Sequence, residues 1–363
     1  MISQGPQARV LLTPSPGTPG EGWGEGSSAA RGGLRSRQKP HPTLSRITGR
    51  GKIIPILLIL ALSCAHLLAQ TKPATAPSVP EYSRSEAIYG RKDGTALTMD
   101  VIAPKAKHNG AGVIIVVSGG WFSSHDAITP PFIETFGGEL LRRGYTVFAV
   151  VHGSQPRYAI NEILPDISRS VRFIRAHAPE YEVDPKRIAI CGGSAGGHLS
   201  LMQATSPIAA NPKSPDPVER ESASVEAAAA FFPPTDFLNY GKEGENALGR
   251  GALAPFKAAF DFREIDPKTK AFVQITDEKR MEDIGRAISP VYHVSTSSAP
   301  TLLIHGEADT LVPIQQSQIF LAKMQEAKIP CKLIPKPAAG HGWANMQGDM
   351  SAVGDWFDEH LRP

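Results

Sequence analysis

Three residues far apart in the chain have the types needed for nucleophilic catalysis. Ser194 stands in Gly192-Gly193-Ser194-Ala195-Gly196-Gly197, which carries the G-x-S-x-G pattern of a nucleophile on a sharp strand-to-helix turn. The spacing has a steric reason. Strand and helix pass close together at such a turn, so the neighbours of the serine need little or no side chain. The helix that starts behind the serine favours negative charge developing there. A serine hydroxyl is a poor nucleophile until a base takes its proton, and that base needs an acid to hold its tautomer. His341, in Gly340-His341-Gly342, and Asp309, in His305-Gly306-Glu307-Ala308-Asp309, follow apolar runs and supply both. Glu307 is the alternative acid. His305 is expected to pack at a strand end and His198 on the helix behind Ser194, neither having the loop position of a mobile base. Taken singly, each residue has a plain alternative: a capping serine, an Asp309 that caps the helix after Pro313, a surface histidine.

A tetrahedral intermediate also needs backbone N–H donors for its oxyanion. Ala195 follows the nucleophile, and Ser118-Gly119-Gly120-Trp121 ends an apolar run where glycines let backbone approach a bound carbonyl. The expected donors are Ala195 and Gly120, with Gly119 as the alternative. Trp121, Phe122, Tyr158 and Trp343 fall near the ends of strand-like runs and are candidates for the substrate pocket, two of the four being expected in the core. No His/Cys/carboxylate cluster has metal-ligand spacing. The chemistry calls for no metal and no cofactor.

The elements that must position these residues are legible as alternating strands and helices. Leu97–Ala103 alternates and reads as an antiparallel edge strand. The continuous β-branched or apolar runs at 112–117, 145–151, 187–191, 301–306 and 331–335 read as strands covered on both faces. An alanine-rich run at 225–232 is a further strand candidate. Helical periodicity is seen at 131–143, 163–177, 313–327 and 350–361. Such alternation implies right-handed crossovers and a mostly parallel α/β sheet with helices on both faces. The candidate residues all fall at the C-terminal strand ends, where such sheets place their sites. Residues 237–288 are more charged and irregular and read as an inserted lid.

The N-terminal part has another character. Residues 1–52 are low in apolar content and read as a disordered or spurious extension. An apolar run at 53–62, preceded by Arg46, Arg50 and Lys52 and followed by Ala65–Ala69, reads as a secretory signal at 53–69, or about 46–69 with its charged residues included. It is too short for a stable membrane anchor, and a lipoprotein at Cys64 is disfavoured because Ala61 stands where a leucine is usual. Residues 70–84 read as a linker and 85–363 as the catalytic domain, secreted or periplasmic. Residues 1–69 hold eight Lys/Arg against Glu21 and Glu25, a net +6 against +3 for the whole chain, so the rest carries about −3. The basic balance therefore gives no reason to expect a nucleic-acid partner. Cys191 and Cys331 fall three strands apart in the expected order, roughly 14 Å at about 4.8 Å per strand. A disulfide needs Cα atoms within about 7 Å, so both are expected as buried thiols.

From about residue 85 onward the chain resembles α/β-hydrolase esterases of the acetyl esterase/lipase type, close to the feruloyl/acetyl esterase-like and prolyl-oligopeptidase-like groups. The resemblance rests on Ser118-Gly119-Gly120-Trp121, Gly192–Gly197, His305–Asp309 and Gly340–Gly342, and on the order Ser194, Asp309, His341. Many relatives carry His-Gly-Gly-Gly-Trp at the oxyanion loop, where this chain has Val117 or Ser118 in the histidine's place. The resemblance implies the α/β-hydrolase fold with its mostly parallel, eight-stranded-type sheet, and a serine esterase acting on a small-molecule or carbohydrate ester, with short acyl groups expected and acetyl or feruloyl esters of carbohydrate as candidates. It leaves the oligomeric state open. The rival readings are a prolyl-oligopeptidase-like peptidase, for which no propeller-like repeats precede the catalytic segment, and a catalytically silent hydrolase fold used for binding.

Overall fold

The computed structural model describes residues 78–363. The extension at 1–52, the signal at 46–69 and the first part of the 70–84 linker lie outside the described residues. In chain order the main elements are β1 (Tyr82–Lys92), β2 (Thr95–Pro104), β3 (Gly112–Val116), α1 (Pro130–Phe132), a π-helical turn (Ile133–Gly137), α2 (Gly138–Arg142), β4 (Thr146–Val150), α3 (Ile160–Ala176), β5 (Ile188–Gly193), α4 (Ala195–Thr205) and β6 (Ala227–Phe231). There follow a 3-10 run (Gly251–Phe260), β7 (Arg263–Ile265), β8 (Phe272–Gln274), α5 (Glu278–Ala287), β9 (Thr301–Gly306), α6 (Gln315–Glu326), β10 (Cys331–Lys336) and α7 (Met346–His360).

Eight strands form one sheet in the order β1-β2-β4-β3-β5-β6-β9-β10. The β1–β2 and β2–β4 pairs are antiparallel and the rest parallel. This is the mostly parallel sheet with helices on both faces expected from the alternation of elements, in the α/β-hydrolase arrangement that the resemblance implies. The residues of β3, β4, β6 and β9 are buried along their whole length, as strands covered on both faces must be. On one face Val113, Ile115, Ala189 and Cys191 pack against Leu140 and Leu141 of α2 and Met350, Val353 and Phe357 of α7. On the other, Ile114, Ile190 and Ala228 meet Ile163, Ile167 and Val171 of α3 and Leu199 of α4. Each large apolar side chain removed from water here contributes about 1.5–3 kcal/mol.

The structure corrects three expectations. The strand at 95–104 is not at the edge, because β1 pairs along it. β1 escapes a sequence reading because Arg84, Glu86 and Arg91 interrupt any apolar alternation; charge of this kind suits an edge strand, where it discourages pairing with other chains. Its start at Tyr82 also puts the sheet three residues ahead of the expected boundary at 85. Cys191 and Cys331 are unpaired, with β6 and β9 between their strands, but only Cys191 is fully buried.

The 237–288 segment is tied into the domain by aromatic side chains. Phe237, Phe260 and Phe262 are buried and belong to the same core as α3 and α4. Trp121, 1% exposed, sits among them with ring centroids 5.8 Å from Phe237 and 5.2 Å from Phe260. Such edge-to-face pairs add to area burial.

Candidate active site

The turn after β5 explains the glycine spacing atom by atom. A Cβ on Gly192 would lie 2.5 Å from the Gly196 carbonyl carbon, and one on Gly196 would lie 2.6 Å from the Val116 carbonyl oxygen. Any larger residue would push α4 off the strand ends. Ser194 itself has φ 55° and ψ −120°, a conformation that L-residues avoid and that persists only where the surroundings impose it. Its amide donates to Phe231 O at 2.9 Å, and His198 N donates back to Ser194 O at 2.9 Å. The serine is thus held between β6 and the first turn of α4.

The structure brings Ser194, His341 and Asp309 together. His341 Nε2 lies 2.9 Å from Ser194 Oγ, and His341 Nδ1 lies 2.7 Å from Asp309 Oδ2. With Nδ1 donating to the carboxylate, Nε2 is free to accept the serine proton. The Phe232 ring covers the imidazole at 4.5 Å between centroids. Asp309 is both orienting acid and loop cap: Oδ1 accepts from Leu311 N and Val312 N, each at 2.9 Å, leaving Oδ2 for the histidine. Burial works to raise its pKa, but hydrogen bonds from His305, His341 and the Val312 amide outweigh it and hold the carboxyl well below the usual range. Glu307, the alternative acid, is exposed. His305 bonds Ser317 Oγ and Val312 O, 2.7 and 2.8 Å away, and so fixes the Asp309 loop. The His341 loop crosses the end of β9, where a Cβ on Gly306 would run into the Ala339 and Gly340 carbonyl oxygens.

Of the three expected oxyanion donors the structure leaves two. The Gly119 amide is spent on Phe122 O at 2.9 Å. The Gly120 amide makes no hydrogen bond among the described residues, and the Ala195 amide, first in α4, has no intrahelical acceptor. The loop carrying Gly120 is held by groups that sequence reasoning missed. Ser123 Oγ donates to Val117 O at 2.5 Å, and Ser123 N donates to Ser154 Oγ at 2.8 Å. Trp121 Nε1 donates to His198 Nδ1 at 3.1 Å, and His198 Nε2 reaches Ile288 O at 2.7 Å. That pattern requires neutral His198, and burial pushes its pKa down to about 4. Ser118 Oγ is buried without a hydrogen-bond partner.

A cavity of about 530 Å³ opens at Ser194, lined by Gly119, Gly120, His341, Phe232, Phe256 and Leu311 among others. None of the four expected pocket residues lines it. Trp121 is turned into the aromatic core by its own backbone, with φ 60°. Phe122 is 53% exposed. Tyr158 is buried with Lys92 Nζ 4.4 Å above its ring. Trp343 bonds Asp349 through Nε1 at 2.6 Å and braces Phe232 from behind, 5.7 Å between centroids. All four do stand in segments that follow strands. The direction of each ring, however, depends on φ and on neighbours from other segments.

A family model described as BD-FAE matches residues 99–324. The chain is 29% identical over 207 residues to the probable carboxylic ester hydrolase LipM of Mycobacterium tuberculosis, covering 56% of this chain and 43% of that protein. It spans about half the length of the mycobacterial relatives that it matches. Among solved structures, esterase Est2 of the planctomycete Thermogutta terrifontis superposes with TM-score 0.59 at 22% identity, covering 79% of this chain and 96% of that one. A truncated carbohydrate esterase from gut microbiota gives TM-score 0.60 at 24% identity, covering 78% and 99%. At these identities the two structures speak for the fold.

Proposed function

The chain belongs to the BD-FAE family, and from that membership and the site geometry we propose that it is a serine hydrolase of carboxylic esters. The observation that carries the reading is the unbroken relay from Ser194 Oγ through His341 to Asp309. Ser194 Oγ attacks the ester carbonyl carbon while His341 Nε2 takes the hydroxyl proton. The oxyanion accepts hydrogen bonds from the Gly120 and Ala195 amides, a contribution of about 2.7–4 kcal/mol per donor in comparable sites. Collapse breaks the bond to the alcohol oxygen, which leaves with the proton from His341. Water then attacks the acyl-enzyme, gives a proton to His341, and the carboxylic acid departs as Ser194 regains its hydrogen. Asp309 stays ionised throughout and stabilises the imidazolium. LipM and LipQ, both named as ester hydrolases, lend the reading support.

Export belongs to the same proposal. The charged and apolar run at about 46–69 supports a secreted or periplasmic enzyme, cleaved near Ala69-Gln70. The test of the chemistry is covalent: a fluorophosphonate probe reacts only with an activated serine. Incubation followed by peptide mapping is expected to find the label on Ser194. An intact protein that takes up no label would remove the proposal.

A further inference from the structure

We propose that the site takes esters of apolar, medium-chain carboxylic acids, the acyl chain lying in a channel between the sheet and α7; this rests on the esterase reading above. It departs from the short acyl groups that family resemblance implies, and the reason is the shape and chemistry of the cavity.

Sheet order decides which part of the cavity receives the acyl group. Ser194 follows β5, whereas Asp309 and His341 arrive from the ends of β9 and β10 on one side of it. His341 must protonate the departing alcohol, so the alcohol lies on that side. The acyl group is left with the β3 side. There the cavity continues along the sheet face turned to α7, over Ile115 and Cys191. Its walls are Phe132 and Phe136, 5.2 Å between centroids, with Met346 and Met350 of α7. Phe136 stands in the π-helical turn Ile133–Gly137, a distortion that is frequent at functional sites.

The lining of this branch suits a hydrocarbon chain. It presents no charged side chain, and burial pushes the Cys191 thiol up to about 12, so it stays neutral. Several hydroxyls of a sugar acid would lose water there with Ser118 Oγ as the one unpartnered side-chain group among the described lining residues, which costs free energy for each hydroxyl left unmatched. The volume of about 530 Å³ falls within the range of sites that enclose drug-sized ligands, and an acetyl group would leave most of it unfilled. Two methionines supply walls that adapt to a flexible chain.

The experiment is a chain-length series of p-nitrophenyl acetate, butyrate, octanoate and dodecanoate with the full chain, reading kcat/KM. Each buried methylene is worth about a threefold to fourfold gain, so octanoate is expected to exceed acetate by roughly 100-fold or more. Met350→Trp, which fills the channel, is expected to lower the octanoate-to-acetate ratio by about tenfold, as one or two methylenes lose their place. Phe136→Ala, at a half-buried position where truncation is better tolerated, is expected to raise dodecanoate relative to octanoate. Acetate as the best substrate of the wild-type protein would overturn the channel while leaving the esterase intact. Failure to hydrolyse any of the four would overturn the esterase reading itself.

Discussion

The reacting atoms and the walls around them are built in opposite ways. Ser194, His341 and Asp309 are held by directional bonds, most of them with a second bond behind: Asp309 accepts from two backbone amides as well as from His341, and His305 pins the loop beneath. The cavity walls are held by aromatic and aliphatic packing, and the 237–288 segment by such packing, with Trp121 among Phe237, Phe256 and Phe260, beside polar ties at its start such as Tyr240 Oη to Leu311 O. Polar contacts fix geometry to tenths of an ångström, which proton transfer needs. Packing fixes volume and tolerates exchange of similar side chains. Changes in the first region should therefore show in rate and changes in the second in stability and substrate choice.

The largest expected effect breaks the polar side. Asp309→Asn keeps the shape but offers the wrong partner to His341 Nδ1, and kcat is expected to fall by about 10⁴, with some loss of stability as well because the carboxylate is held by its hydrogen bonds in the folded protein. A loss below tenfold in steady-state kinetics would mean that the acid does not set the tautomer. Next comes Gly306→Ala. Its Cβ meets the carbonyl oxygens of Ala339 and Gly340, so the His341 loop must lift, and a displacement of about 1 Å costs about 10² in kcat with KM little changed.

On the packed side, Phe237→Ala should leave the relay in place and cost about 3–5 kcal/mol of stability, roughly 6–15 °C in melting temperature for a domain of this size. A rate loss exceeding that of Gly306→Ala would erase the division between the two regions. The smallest effect is in pH. Burial pushes His152 and His198 from the usual 6.5 down to about 4. Between those values the unfolded chain binds the protons and the folded chain does not, so stability is full above pH 6.5 and falls as pH drops toward 4. A shift of that size is worth roughly 3 kcal/mol per ring. Denaturant melts at pH 7 and pH 5 should show a shallower fall for His198→Gln than for the wild type.

The same division accounts for what the sequence discloses. Nucleophile, base and acid are confined to residue types that few positions can supply, and each sits in a turn at a strand end with glycines close by, so the chain alone reveals all three. The oxyanion loop is half legible. Its glycines stand out, but only the bond from Gly119 N to Phe122 O reveals that Gly120 keeps the free amide. The walls are not legible. Phe132, Phe136, Met346 and Met350 look like the buried stripes of ordinary helices, and their meeting at one cavity depends on α7 packing against the π-helical turn, α2 and β6. Trp121 shows the converse: a large aromatic in the right loop, turned inward by a backbone angle that its type does not announce. β1 is hidden by its charges.

All of these expectations presuppose that Ser194 is the nucleophile of an ester hydrolase. The decisive comparison is turnover of p-nitrophenyl octanoate by the wild type and by Ser194→Ala, each checked for an intact fold by circular dichroism. A loss of about 10⁴–10⁶ in kcat is expected for the variant. Equal turnover by the two proteins would mean that the Ser194 hydroxyl takes no part in the reaction.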